Sequence, residues 1–148
     1  MKDRYALNGK VKIDINGEVV LEKNNRVVDT GKNYILRRLV DTDIPSQISH
    51  MAVGTNPTAP EAADLDLLSI AGPRVEIIST TVTDNEIEYI ASFSGALHTG
   101  ELREAGLFNA ITGETMMSRL TFNTITLATQ DTMTITWTIS LRDIAEVF

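Results

Sequence analysis

Asp131-Thr-Met-Thr-Ile-Thr-Trp-Thr-Ile-Ser-Leu141 decides the fold. Met133, Ile135, Trp137, Ile139 and Leu141 hold the odd positions, while Thr132, Thr134, Thr136, Thr138 and Ser140 hold the even ones. Successive side chains on a strand point to opposite faces, so the stretch reads as one long strand with an apolar face and a hydroxyl face. A helix, with its period of 3.6 residues, cannot gather those apolar residues on one side. The single tryptophan stands at the centre of the strand and is expected to anchor the core. The β-branched hydroxyl face suits a pleated surface turned to water or to another subunit.

Working outward, the remaining chain reads as more strands of the same kind. Lys10 to Glu22 is a hairpin about Asn16-Gly17. A two-residue loop would put Glu18 opposite Ile15 on the apolar face. A three-residue loop, Asn16-Gly17-Glu18, pairs Ile15 with Val19 and Ile13 with Leu21 and keeps the faces consistent, so it is the expected register. Asn24-Asn25 breaks the strand, and Thr30 or Gly31 opens a helix running to about Val40, with Asp29 or Thr30 as its cap and Tyr34, Ile35, Leu39 and Val40 at helical spacing. Ile48 to Gly54 is a short apolar strand. Glu61 to Ile70 reads either as a short helix or as a long crossing loop. Arg74 to Thr83 and Glu86 to Phe93 form a hairpin about Asp84-Asn85; Leu102 to Phe108 and Thr115 to Phe122 are further strands. Asn123 to Gln130 is a loop or short edge strand, and 143–148 a terminal turn or frayed end. The predicted fold is mainly β: an antiparallel β-sandwich, or a barrel-like closure, of about seven to eight strands with one covering helix, in a single domain spanning 1–148. Ile13, Phe93, Phe122, Ile135, Trp137 and Ile139 are the predicted core.

Composition narrows function mainly by exclusion. A chain of 148 residues can bury roughly two thirds of its unfolded surface, so apolar burial alone can hold it. It has no cysteine, and therefore no disulfide and no thiolate metal site, which fits folding in a reducing compartment. A net charge of -7 with scattered Lys and Arg argues against nucleic acid as a partner. No apolar run approaches the ~20 residues of a membrane span, and the first residues lack the apolar stretch of a secretory signal. Soluble protein made in the cytoplasm is the expectation.

Candidate chemistry is sparse. His50 and His98 are isolated, with no second ligand at metal spacing, so no metal or cofactor is expected. Serine-bearing stretches such as Ser92-Phe-Ser-Gly95 lack a nucleophile elbow. The carboxylates Asp41, Asp43, Glu101 and Glu104 sit in turns and strand ends, where solvated charge is the ordinary reading; Arg103 and Glu104 are expected to make an ion pair or a subunit contact, but as neighbours on one strand they face opposite ways and do not pair with each other. Gly106, inside Glu104-Ala-Gly-Leu-Phe108, marks a bulge or a close approach. There is no phosphate loop. Threonine-rich, weakly charged strands are ready templates for edge pairing, which favours an assembly component over an enzyme.

Four segments, in this order, carry a family resemblance: Asn25-Arg-Val-Val-Asp-Thr-Gly-Lys-Asn33, Ile48-Ser-His-Met-Ala-Val-Gly-Thr55, Leu102-Arg-Glu-Ala-Gly-Leu-Phe-Asn-Ala110 and Asp131-Thr-Met-Thr-Ile-Thr-Trp137. With the loop Pro57-Thr-Ala-Pro60, Arg74 and Met117-Ser-Arg119, the set resembles small bacteriophage and prophage structural proteins of the tail-fibre or tail-associated type. The doubled acidic-leucine step Asp64-Leu-Asp-Leu67 departs from the single step usual there. The resemblance implies a noncatalytic virion component, located in the virion and acting as a homo-oligomer in contact with copies of itself and with other virion proteins. It carries over no catalytic residue. The expected protein contacts are Ile44, Pro45 and Gln47; Thr55, Asn56, Pro57, Pro60 and Asp64; and Glu101, Arg103 and Glu104. Other readings are a capsid decoration protein and a host-glycan-binding module, for which Tyr5, Tyr34, Tyr89 and Trp137 are the aromatic rings on offer. A glycosidase is the enzyme reading.

Overall fold

The computed structural model describes residues 4–143. Ten strands and one helix follow in the order β1 (Tyr5–Ile15), β2 (Glu18–Asn24), β3 (Arg26–Val27), α1 (Asp29–Arg37), β4 (His50–Gly54), β5 (Val75–Glu76), β6 (Ser79–Thr83), β7 (Glu86–Ser94), β8 (Leu102–Phe108), β9 (Met116–Ile125) and β10 (Thr132–Asp143). They form two antiparallel five-stranded sheets, ordered β2-β1-β10-β7-β6 and β3-β9-β8-β4-β5. Residues 144–148, and with them the expected terminal turn, lie outside the described residues.

The alternation in β10 places it at the centre of the first sheet. Its odd residues meet odd residues of both neighbours: Trp137 lies between Val11 and Tyr89, Ile135 between Ile13 and Ala91, and Met133 between Ile15 and Phe93. Met51, Val53, Leu107, Leu120 and Phe122 face them from the second sheet, and one continuous core results. The architecture is an antiparallel β-sandwich. All six predicted core residues are buried, and Leu141 alone of the apolar row is exposed, at the strand's end. Burying the indole of Trp137 removes about 200 Å² from water, which stabilises the fold by roughly 5 kcal/mol before entropy is counted.

Ten strands are two or three more than the seven or eight expected, for a physical reason. Arg74 to Thr83 reads as one strand but divides between the sheets: Ile77 N–H donates to Ser49 O in the second sheet, and Ile78 N–H donates to Ile90 O in the first. The chain crosses from β5 to β6 between those two residues. A similar crossing at Asn25 creates β3.

The first hairpin corrects the expected turn. Asn16 and Gly17 have φ of 51° and 88°, the left-handed values a tight two-residue turn needs. Ile15 therefore faces Glu18, not Val19. A register shift next to Asp14 then brings Leu21 opposite Ile13, as expected, leaving Val20 as the extra residue of a β-bulge. The demand for apolar consistency is met by the bulge rather than by the loop.

Helix α1 also differs from expectation. Val28 is its N-cap and makes no side-chain cap bond; Asp29 and Thr30 belong to the first turn, and Thr30 Oγ1 donates instead to Met116 O at 2.9 Å. The helix lies along β9, so close at Gly31 that a Cβ there would sit 2.1 Å from Met117 O. It stops at Arg37 because Arg38 and Leu39 N–H groups bond back to Ile35 and Leu36, tightening the last turn. Leu39 and Val40, expected on its buried face, are 80% and 47% exposed.

Candidate functional site

The crossing segment 55–74 contains no helix; its middle covers the outer face of the second sheet, and 69–71 then pairs along the edge of β4, Thr55 N–H donating to Ser69 O and Ala71 N–H to Val53 O. Under it Leu67 packs with Val28, Ala52, Phe108 and Met116 in a second, smaller core. This sheet is thus buried on both faces, and β8 and β9 carry charges there. Glu104 stands in register with Gly54, and Arg119 with Gly106. Both glycines make room: a Cβ on Gly54 would lie 2.3 Å from Ser69 O and 2.5 Å from Glu104 Oε1, and one on Gly106 would lie 2.7 Å from the Phe108 ring. Gly106 is therefore a site of close approach, as its sequence setting suggested.

Glu104 is wholly buried, and its carboxylate is fully engaged. Oε1 accepts from the N–H of Ser69 at 2.8 Å and of Asn56 at 3.4 Å; Oε2 accepts from Leu68 N–H at 3.1 Å and Arg119 Nε at 3.0 Å. Arg119 Nη2 also lies 2.9 Å from Oε2, within ion-pair range but off line for a hydrogen bond, so Nε makes the directed contact. Arg119 Nη1 donates to Asp64 Oδ2 at 3.1 Å, and the same oxygen accepts from Glu61 N–H. One buried cation and two carboxylates thus fasten 55–70 to the sheet as a strap.

Arg74 is a second clamp. Its Nη1 donates to Ala110 O at 2.8 Å and Gly113 O at 3.0 Å, its Cζ lies 3.6 Å from the centre of the Phe108 ring, and Asp66 lies 3.5 Å from Nη2. Burial pushes its pKa down, with Asp66 opposing. Between the strap and the 109–113 loop lies an open groove of about 430 Å³, bordered by Ile70, Pro73 and Ile111. Leu65, Leu68, Ile70 and Ile111 are all exposed.

Of the expected contact residues, Thr55, Asn56, Pro57, Pro60 and Asp64 lie in the strap. Glu101 and Arg103 adjoin it: Arg103 Nη2 donates to Glu101 at 2.6 Å and Nη1 reaches Thr55 O at 3.5 Å. Arg103 and Glu104 do face opposite ways, as adjacent strand residues must. Glu104 makes the expected ion pair, with Arg119, but as a subunit contact it is a correction: at 0% exposure its carboxylate holds the strap and has no surface to offer a neighbour. Asp64 is largely committed in the same way, its side chain 13% exposed. Ile44, Pro45 and Gln47 lie in the segment after α1, which is tied down by Arg38 Nη1 donating to Pro45 O and Tyr34 Oη donating to Ser46 O.

Arg119 is the functional residue most easily missed in the sequence. Its signal is a lone cation within the buried run Met116-Met-Ser-Arg-Leu120, matched by a lone carboxylate in Glu104-Ala-Gly-Leu-Phe108. His98 is also buried, its ring nitrogens 3.0 Å from Ser94 O and 3.0 Å from Pro73 O, a structural placement. His50 Nδ1 meets its neighbour's Ser49 Oγ at 2.7 Å. Among the described residues no three His, Asp or Glu side chains are grouped to hold a metal ion, and no helix is long and apolar enough to cross a membrane.

Comparison with protein-family models, with curated proteins and with solved structures found no match to this chain.

Proposed function

We propose that this protein is a noncatalytic bacteriophage virion component, associated with the tail, its fibres or its baseplate, that works by packing against copies of itself and neighbouring virion proteins. One observation supports the reading above the rest: a segment without regular secondary structure is fixed by a buried Glu104–Arg119–Asp64 network, yet presents Leu65, Leu68 and Ile70 outward. A loop pinned on a sandwich and carrying exposed apolar side chains suits a preorganised protein contact, because little ordering entropy remains to be lost on docking. The four sequence segments that resemble phage structural proteins supply the virion setting. Glu104 accepts bonds at both oxygens and is walled from solvent, so its arrangement serves loop positioning. Of the chain's tyrosines and its tryptophan, Tyr5 is exposed while Tyr34, Tyr89 and Trp137 are buried, which leaves little aromatic surface for stacking a sugar.

The test is mass spectrometry of purified particles and of tailless heads from the phage or prophage that encodes the chain. The protein is expected in whole particles and absent from isolated heads. Recovery on tailless heads would replace the tail assignment with head decoration, and absence from every particle fraction would overturn the virion reading.

A further inference from the structure

The two sheets end in four edges, and they are not alike. The second sheet ends in β3 and β5, each two residues long and too short to template a partner. One edge of the first sheet is β2, which carries Glu18, Glu22 and Lys23 and is bent by the bulge at Val20. Short length, charge and bulges are the devices that protect sheet edges from unwanted pairing. The fourth edge, β6, has none of them. Ser79-Thr-Thr-Val-Thr83 is five residues without a charge, pairs with β7 in unbroken register, and has no further strand beside it among the described residues.

The side chains flanking this edge are equally unprotected. Ile78 and Val82 are 69% and 67% exposed. Thr81, in register with Glu88, lies on the opposite face from Val82. We infer that β6 is a self-pairing edge: two copies join antiparallel across a two-fold axis at Thr81, fusing their first sheets into one ten-stranded sheet.

That register sets Thr81 against its own copy, Thr80 against Val82 of the second chain, and Ser79 against Thr83. Alternate residues of an antiparallel edge strand turn their N–H and C=O groups outward, so each chain offers donors and acceptors to the other in matching order. Val82 meets Thr80 directly and Ile78 on the diagonal, which covers the exposed apolar side chains of both copies. The occupant is a second copy because electrostatics permits it in a chain of net charge -7. No charged residue lies within the paired segment. The nearest face-to-face carboxylates, the two Glu88 groups, stand three strand spacings apart, about 14 Å. That exceeds the Debye length of about 8 Å at physiological salt, so their repulsion is largely screened. The interface is small, so weak and reversible association is expected.

This inference rests on the assembly reading for its occupant, but its test is independent of particle incorporation. Sedimentation velocity over a range from about 1 μM to about 1 mM should show the mass rise toward twice that of one chain. Thr81→Lys and Thr81→Glu each place like charges opposite one another across the new pairing and should weaken it at least tenfold, with unchanged circular dichroism because position 81 is exposed; Thr81→Lys should keep the thermal midpoint, while Thr81→Glu, which faces Glu88 of its own chain, should lower it slightly. An equimolar mixture of the two variants should recover the dimer as a mixed species. Val19→Lys on β2 should leave association unchanged. A wild type that stays monomeric throughout, an oligomer indifferent to Thr81→Lys, or a mixture that fails to recover the dimer would each overturn the edge pairing. The second result would leave the assembly reading standing with a different interface, and detection in particles would uphold that reading whatever sedimentation shows.

Discussion

Arg119 and Glu104, on neighbouring strands and each wholly buried, meet through Nε and Oε2 at 3.0 Å. Their value to the fold is lopsided. A buried pair repays its own desolvation only when every remaining lone pair and proton is satisfied, and removing one partner strands the other. Glu104→Gln is therefore expected to lower unfolding free energy by about 3–5 kcal/mol, read from urea denaturation. The double change Glu104→Leu with Arg119→Met removes both charges but leaves the N–H groups of Asn56, Leu68 and Ser69 without their acceptor. It should recover only part of the loss and remain about 2 kcal/mol or more below wild type. A double variant as stable as wild type would show that the bonds from strap to carboxylate contribute nothing.

Gly54 gives a second handle on the strap. A Cβ there would lie 2.3 Å from a backbone oxygen, Ser69 O, which cannot rotate away as a side chain can. Gly54→Ala is expected to cost about 1–3 kcal/mol by overpacking. The damage should be local: amide hydrogen exchange at 55–70 should accelerate well beyond that of β7 and β10. Uniform acceleration across both sheets would mean that the strap is not a separate unit of stability.

These two sites also show where sequence reasoning reaches and where it stops. The period-2 pattern of β10 and β7 is local, so the sandwich and its six predicted core residues were legible. The split of 74–83 between sheets was not, because a run of β-branched residues looks the same whether it pairs with one partner or two. Nor was the helix end: Leu39 and Val40 continue the apolar spacing, and nothing before Pro45 breaks it. The strap has no period of its own, since its conformation is imposed by Glu104 from 35, 36 and 48 residues away. For the same reason Glu104 read as a surface contact: its sequence neighbours do not disclose which segment will cover it.

Alkaline pH should unfold the protein through Tyr89. Burial, aided by Tyr34 and opposed by Arg38, raises its pKa from 10.0 to about 12. The folded state holds this proton more tightly than the unfolded chain, so the contribution to stability is fully present below pH 10 and is lost as pH rises through about 12. Tyr89→Phe should flatten this part of the pH-stability curve, and tyrosinate absorbance of the folded wild type should show a late component that the variant lacks. A Tyr89 that ionises at the same pH folded and unfolded would remove the linkage.

At the centre of the sandwich Trp137 Nε1 donates to Asn25 Oδ1 at 3.1 Å. Asn25 is the residue at which the chain leaves β2 for β3, so its amide ties the crossing between sheets to the largest ring of the core. The contact needs space, and Gly9 supplies it: a Cβ at Gly9 would fall 1.6 Å from Asn25 Oδ1. Asn25→Ala leaves the buried indole N–H unpaired and should cost about 1–3 kcal/mol. Gly9→Ala alone should be at least as harmful, because either Asn25 or the β1 backbone has to move. In the Asn25→Ala background the obstructing oxygen is gone, so Gly9→Ala should cost far less than it does alone. Thermal or urea denaturation of the four proteins closes the cycle, with an expected coupling of about 1–3 kcal/mol between the two positions. Strict additivity would mean that the glycine serves some end other than room for the amide, and that the tie between Trp137 and Asn25 tolerates displacement without loss.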